Sequence, residues 1–215
     1  MRNKMRNFQA TPTINTNTLL HYNSTQTNLQ KNKCKVELVT NASPRRSQVE
    51  EFIKASYEKN FSAKIQTFFP LILTVINIQD DSIMGALGIR YADEDALFSE
   101  SYLPETIENS IFAHEQGVIN RSKIIELGNF VVESKEDIKF ILPAVSQFIK
   151  SLDVDWVIYT LTRPIKSYFN KFGIELNFLN DAKAEAVNGA ATDWGKYYKF
   201  NPAVYYSCVH KNMNS

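Results

Sequence analysis

The chain predicts an α/β fold of the α+β kind, a central mixed sheet flanked by helices. Three observations carry this expectation. Apolar runs of strand length alternate with helix-period stripes between residues 34 and 209. Two consecutive runs, Phe69–Gln79 and Ser82–Arg90, are joined only by Asp80-Asp81, the spacing of an antiparallel hairpin. After them, a strand at Lys123–Val132, a long helix and a strand at Val154–Leu161 follow in the order of a crossover connection, so the sheet is mixed.

Taken in order, residues 1–33 are rich in Asn, Thr and Gln, lack any acid, and read as a disordered polar tail or a partner-binding arm. Residues 34–215 read as a single domain. Cys34–Thr40 alternates and is β-branched, which predicts a first strand. Ser43 as cap and Pro44 at the first helical position predict a helix with Val49, Phe52, Ile53 and Tyr57 on its apolar face. The hairpin follows, its second strand carrying Gly85 and Gly88 where another group approaches the backbone. Tyr91–Leu103 is acidic with an aromatic middle, and Pro104 is expected to open a short helix. Ser134 and Asp137 suggest a capping box ahead of a helix striped by Ile138, Ile141, Leu142, Val145, Phe148, Ile149 and Leu152. Thr162 caps a last helix, striped by Ile165, Tyr168, Phe169 and Phe172 and stopped by Gly173. The remainder reads as loop, then a final strand at Ala203–Val209.

Composition narrows the function classes. Hydrophobic content of 44% and charged content of 22% are those of a soluble globular protein. A net charge of +1 offers nucleic acid no basic surface. Two cysteines, Cys34 and Cys208, are too few for a disulfide scaffold and lack zinc-ligand spacing, so no metal is expected. The basic N-terminus is not followed by an apolar core, and the longest apolar run, Phe68–Ile78, is broken by Pro70, Thr74 and Asn77. A transmembrane helix needs roughly 18–20 apolar residues, so a cytoplasmic location is expected.

The stretch KIIELGNFVV, Lys123–Val132, concentrates the chemistry. It is apolar enough to be buried on both faces, yet holds Glu126 and Gly128. A carboxylate in such a strand has a partner, such as Arg90 or Arg163, or a task. The glycine suggests a bulge or a ligand against the backbone. No Ser-His-Asp arrangement, P-loop or dinucleotide fingerprint is present.

The order of elements, with a FNKFGI helix exit at Phe169–Ile174, resembles the GNAT acyl-CoA N-acyltransferase fold. With LFSESYL at Leu97–Leu103, IIELGNFVV at Ile124–Val132, WGKYY at Trp194–Tyr198 and PAVYYSCV at Pro202–Val209, the chain is similar to the thermostable hemolysin family, whose members look GNAT-like. A looser resemblance runs to acyl-homoserine-lactone synthases and N-acyl amino acid synthases. Their central strand places an Arg three residues after the Glu, where this chain has Asn129, followed by the aromatic Phe130.

The resemblance implies a splayed central strand whose free backbone groups, at Leu127, Gly128, Asn129 and Phe130, hold an acyl thioester. It implies acyl-coenzyme A or acyl carrier protein as donor substrate, a small-molecule amine as acceptor, and no permanently bound cofactor. The glycine-rich pyrophosphate loop of GNAT enzymes is replaced by VESKED, Val132–Asp137, whose acids repel phosphate, so either a carrier protein delivers the acyl group, as resemblance to the lactone synthases implies, or the donor binds differently. The tyrosine that protonates the leaving thiolate in that fold corresponds to Phe169, and the adjacent Tyr168 lies about 100° away around the helix. Glu126 is the candidate base, its pKa raised by burial. Glu100 binds an acceptor amine, holds a cation, or is a solvated loop acid. Trp194 and Tyr197 wall an acyl tunnel or pack in the core. Two other classes stay open: direct membrane lysis, and a non-catalytic module binding acyl chains or a protein.

Overall fold

The computed structural model describes residues 33–187 and 193–211. The expected tail lies, but for Lys33, outside them. Among the described residues, seven strands form one sheet: β1 (Cys34–Val39), β2 (Leu71–Asn77), β3 (Ile83–Tyr91), β4 (Ile124–Val132), β5 (Trp156–Leu161), β6 (Asn177–Asp181) and β7 (Ala203–Cys208). Their order is β1-β2-β3-β4-β5-β7-β6. The strands from β1 to β4 pair antiparallel, β4 and β5 pair parallel, and β5, β7 and β6 pair antiparallel again. Among the described residues, four helices cover the sheet: α1 (Arg46–Phe61), α2 (Ile107–Glu115), α3 (Ile138–Lys150) and α4 (Arg163–Lys171).

Alternation along each strand divides the core into two layers. On one face Ile125, Leu127, Val157, Tyr159 and Leu161 pack with Ile138, Ile141, Leu142, Phe148 and Phe169 of α3 and α4. On the other face Ile72, Ala86 and Val131 meet Val49, Ile53 and Tyr57 of α1, while Ile124, Ile158 and Val204 meet Ile107 and Ile111 of α2.

The hairpin forms as its spacing requires, and Asp81, not a glycine, takes the left-handed conformation (φ 57°). The Ser82 amide and hydroxyl both donate to Asp80 Oδ1, which fixes the turn. Four local expectations are corrected. The first helix starts at Arg46 rather than Pro44, and the Ser43 hydroxyl accepts the Thr40 amide instead of capping it. The Arg46 guanidinium donates to the Phe69 and Pro70 carbonyls at 2.8 and 3.1 Å, so tertiary bonds set the start. The Pro104 helix begins at Ile107. Ser134 donates to Asp137 Oδ2 at 2.8 Å, side chain to side chain, so no reciprocal box forms. β6, read as loop, pairs with β7 as an edge strand.

Candidate active site

The parallel pairing of β4 with β5 stops at Leu127↔Tyr159, although β4 runs on to Val132 and β5 to Leu161. The cause lies in β4. Between Gly88↔Gly128 and Ala86↔Val131 the register slips, so that β4 spends one residue more than β3. Asn129 sits in that bulge at φ 49°, a conformation Asn tolerates better than most residues. The Asn129 Oδ1 accepts the Phe69 amide at 3.3 Å, which holds the bulge. A bulge bends its strand, and here it turns β4 away from β5.

A cavity of about 600 Å³ occupies the gap. Leu127, Phe130, Tyr159, Leu161, Ile165, Tyr168 and Phe169 line it on the α3–α4 side, and Phe52, Tyr57, Phe61, Tyr197 and Phe200 on the α1 side. Residues from both faces of the sheet share one space, so the opening passes between the strands. On the β5 side the Thr160 carbonyl, beyond the last rung to β4, accepts the Tyr197 hydroxyl at 3.4 Å. Burial pushes the Tyr197 phenol well up, which keeps it a neutral donor. This volume suits a small-molecule site.

Of the residues singled out in the sequence, Leu127, Gly128, Asn129, Phe130 and Tyr197 line the cavity. Trp194 lies behind it, stacked on Phe98 at 5.6 Å and 5.0 Å from the Tyr197 ring. Gly128 and Gly88 owe their smallness to the Phe69 ring, which occupies the place of a β-carbon at both positions; Gly85 similarly faces Ile141. A core side chain, not a ligand, is what approaches those backbones.

Glu126 is 2% exposed and forms no ion pair with Arg90 or Arg163. It lies beside Arg90 in the β3–β4 ladder, but Arg90 donates to the Ala96 carbonyl at 2.9 Å and stands 4.9 Å from the Phe69 ring centre. The two Glu126 oxygens accept the amides of Phe98 and Ser99 at 2.9 and 2.7 Å. Those amides open the short 3-10 segment Phe98–Tyr102, whose first N–H groups have no partner within it. Burial pushes the Glu126 carboxyl up, against the opposing pull of these amides and of the Arg90 charge.

Glu100 leads away from the cavity. It accepts the Leu97 and Ile107 amides at 2.9 and 3.0 Å, and Arg121 grips both its oxygens at 2.7 and 2.9 Å. The cation it holds is therefore Arg121, which also reaches Glu108 at 2.6 Å and the Ala92 carbonyl at 2.7 Å. These donors outweigh partial burial and bring the Glu100 carboxyl down to about 2.

Phe169 packs edge-on against Phe130 and Tyr159, and both it and the neighbouring Tyr168 line the cavity. The rim beside α3 carries Glu133, Ser134 and Lys135 and has no glycine. Among the described residues no cluster of three or more His, Cys, Asp or Glu could hold a metal, and no helix is long and apolar enough to cross a membrane. The α1 rings Phe52, Tyr57 and Phe61, and Thr160, were not legible as cavity residues: a helix stripe looks the same whether the sheet beneath it is closed or parted.

Comparison with known proteins agrees with this architecture. The family model described as thermostable hemolysin matches residues 39–213. No curated protein matches. Among solved structures, FeeM, an N-acyl amino acid synthase from uncultured soil microbes, is similar at 14% identity, covering 83% of this chain and 93% of that one, with a TM-score of 0.56. The acyl-homoserine-lactone synthase LasI is similar at 9% identity over 83% and 91% of the two chains, TM-score 0.54. The C-terminal condensation domain of Ebony, in complex with beta-alanyl-dopamine, is similar at 12% identity over 81% and 99%, TM-score 0.50. What these neighbours share with the chain is the fold, that of GNAT-like N-acyltransferases.

Proposed function

We propose that this chain, which belongs to the thermostable hemolysin family, transfers an acyl group from a carrier thioester to a small amine and so forms an amide. The observation that carries the reading is the parting of β4 from β5 at Leu127, opening into a cavity that reaches both faces of the sheet. A donor entering beside α3 and α4 meets an acceptor entering beside α1 across that gap.

The reaction asks little more of a protein than alignment, a polarised carbonyl and somewhere for a proton to go. The backbone of residues 128–132, released from β5, supplies donors for the thioester oxygen. The amine nitrogen bonds to the acyl carbon and the carbon–sulfur bond breaks. Glu126, one residue before the gap along β4 and outside the cavity wall, takes the amine proton through a water, its oxygens held by the Phe98 and Ser99 amides. Its raised pKa makes it a stronger base than an ordinary carboxylate. The thiolate draws its proton from solvent at the α3–α4 mouth, because Phe169 has none to give. Glu100 serves as a positioning residue: by clamping Arg121 and the Leu97 amide it fixes the turn that faces Glu126.

For the donor, the acidic, glycine-free rim at Glu133–Asp137 favours a carrier protein over coenzyme A. The buried Phe169 also suits a second reading, an acyl-binding module without turnover. Incubation with lauroyl-carrier protein or lauroyl-coenzyme A and a pool of amines, followed by mass spectrometry, separates the two. New amides support transfer. Donor binding with no amide from either donor supports the module.

A further inference from the structure

FeeM is an N-acyl amino acid synthase and the Ebony domain is in complex with beta-alanyl-dopamine, so two kinds of acceptor come into question, an amino acid and an amine without a carboxylate. The cavity of this chain favours one of them by its own chemistry. Among the described lining residues, the ionised side chains are Lys59, Glu133 and Lys135, and all three are exposed at the rim. Inside, on the α1 side, the wall is aromatic. Phe61 lies 5.5 Å from Tyr57, 5.3 Å from Tyr197 and 5.5 Å from Phe200, in tilted or edge-to-face contacts. The throat beside it offers Asn129, a neutral amide.

Aromatic rings attract an ammonium group and solvate an apolar or aromatic body, but they do nothing for a carboxylate. An anion pressed among them loses its water and gains no cation in return. We infer that the acceptor is a primary amine without a carboxylate, with an aromatic or alkyl body seated among Tyr57, Phe61, Tyr197 and Phe200. This rests on the acyl-transfer reading and names the substrate class of the same site. The ammonium enters against the rings and sheds its proton before it attacks.

The test uses two probes that differ by one carboxylate, phenethylamine and phenylalanine. Their equilibrium binding to the full chain is measured calorimetrically with S-dodecyl-pantetheine present. The inference expects phenethylamine to bind at least about tenfold more tightly, equal to about 1.4 kcal/mol. Ala55→Arg, on the exposed side of α1 at the cavity edge, should narrow that preference by adding a second cation beside the exposed Lys59, one turn along the same helix. Phenylalanine binding as well as or better than the amine overturns the inference, and so does failure of phenethylamine to bind. Product analysis with both lauroyl donors keeps the two ideas apart. Phenethylamine bound but never acylated refutes transfer and leaves the seat standing. Preferential formation of N-lauroyl-phenylalanine refutes the seat and leaves transfer standing.

Discussion

Replacing Glu100 with Gln should destabilise the protein in a way that depends on pH with a known sign. Glu100 makes four bonds: two with the Leu97 and Ile107 amides and two with Arg121. Gln keeps one acceptor oxygen and turns an amide nitrogen toward donors, so at least one charge-assisted bond to Arg121 is lost. Such bonds contribute ~1.5–3 kcal/mol each, and the pair here is partly exposed, with side chains 28% and 16% accessible. A loss of about 2 kcal/mol at pH 7 follows. Despite partial burial, the folded pKa of Glu100, about 2, is depressed below the ordinary value of 4.5 by the Arg121 guanidinium and the Ile107 and Leu97 amides. Its contribution is therefore fully present above pH 4.5 and is lost as pH falls toward 2. Urea unfolding of parent and variant across that range reads the difference. A gap that stays constant with pH, or that is below ~0.5 kcal/mol at pH 7, would refute the clamp.

Other substitutions probe the gap itself. Glu126→Gln should lower turnover by about 10²–10⁴-fold. It should also remove the acid limb of the pH profile, in which activity rises with pH as the elevated Glu126 carboxyl ionises; an unchanged profile removes Glu126 as base. Gly128→Ala drives a β-carbon into the Phe69 ring and should cost ~1–3 kcal/mol, measured by urea unfolding, with the cost partly relieved in a Phe69→Leu background. Additive costs would show that the two do not touch. Asn129→Ala should destabilise more than Asn129→Gly, since both lose the bond to the Phe69 amide and only alanine is strained at φ 49°.

The parts of the fold that were legible in the sequence are those with local causes. The apolar run of β4, the α3 stripe and the Gly173 stop (φ 73°) follow from burial and backbone conformation. What escaped was set by distant neighbours. β6 is rich in Asn and Asp and becomes a strand because β7 offers a ladder. The start of α1 shifts because Arg46 finds the Phe69 and Pro70 carbonyls. At the site, a glycine in a strand announces that something comes close but not what, and at Gly128 the visitor is Phe69. Glu126 could be identified as a carboxylate with a partner or a task; that its oxygens meet two backbone amides from another segment had no signature in the pattern.

Hydrogen exchange of the backbone amides, with and without S-dodecyl-pantetheine, bears most directly on the gap between β4 and β5. If the chain of a thioester lies there, amides of residues 128–132 become slower to exchange on binding, and those of β1 and β6, at the sheet edges, are unchanged. Saturable binding that leaves residues 128–132 as they were would place the acyl group elsewhere and contradict the account.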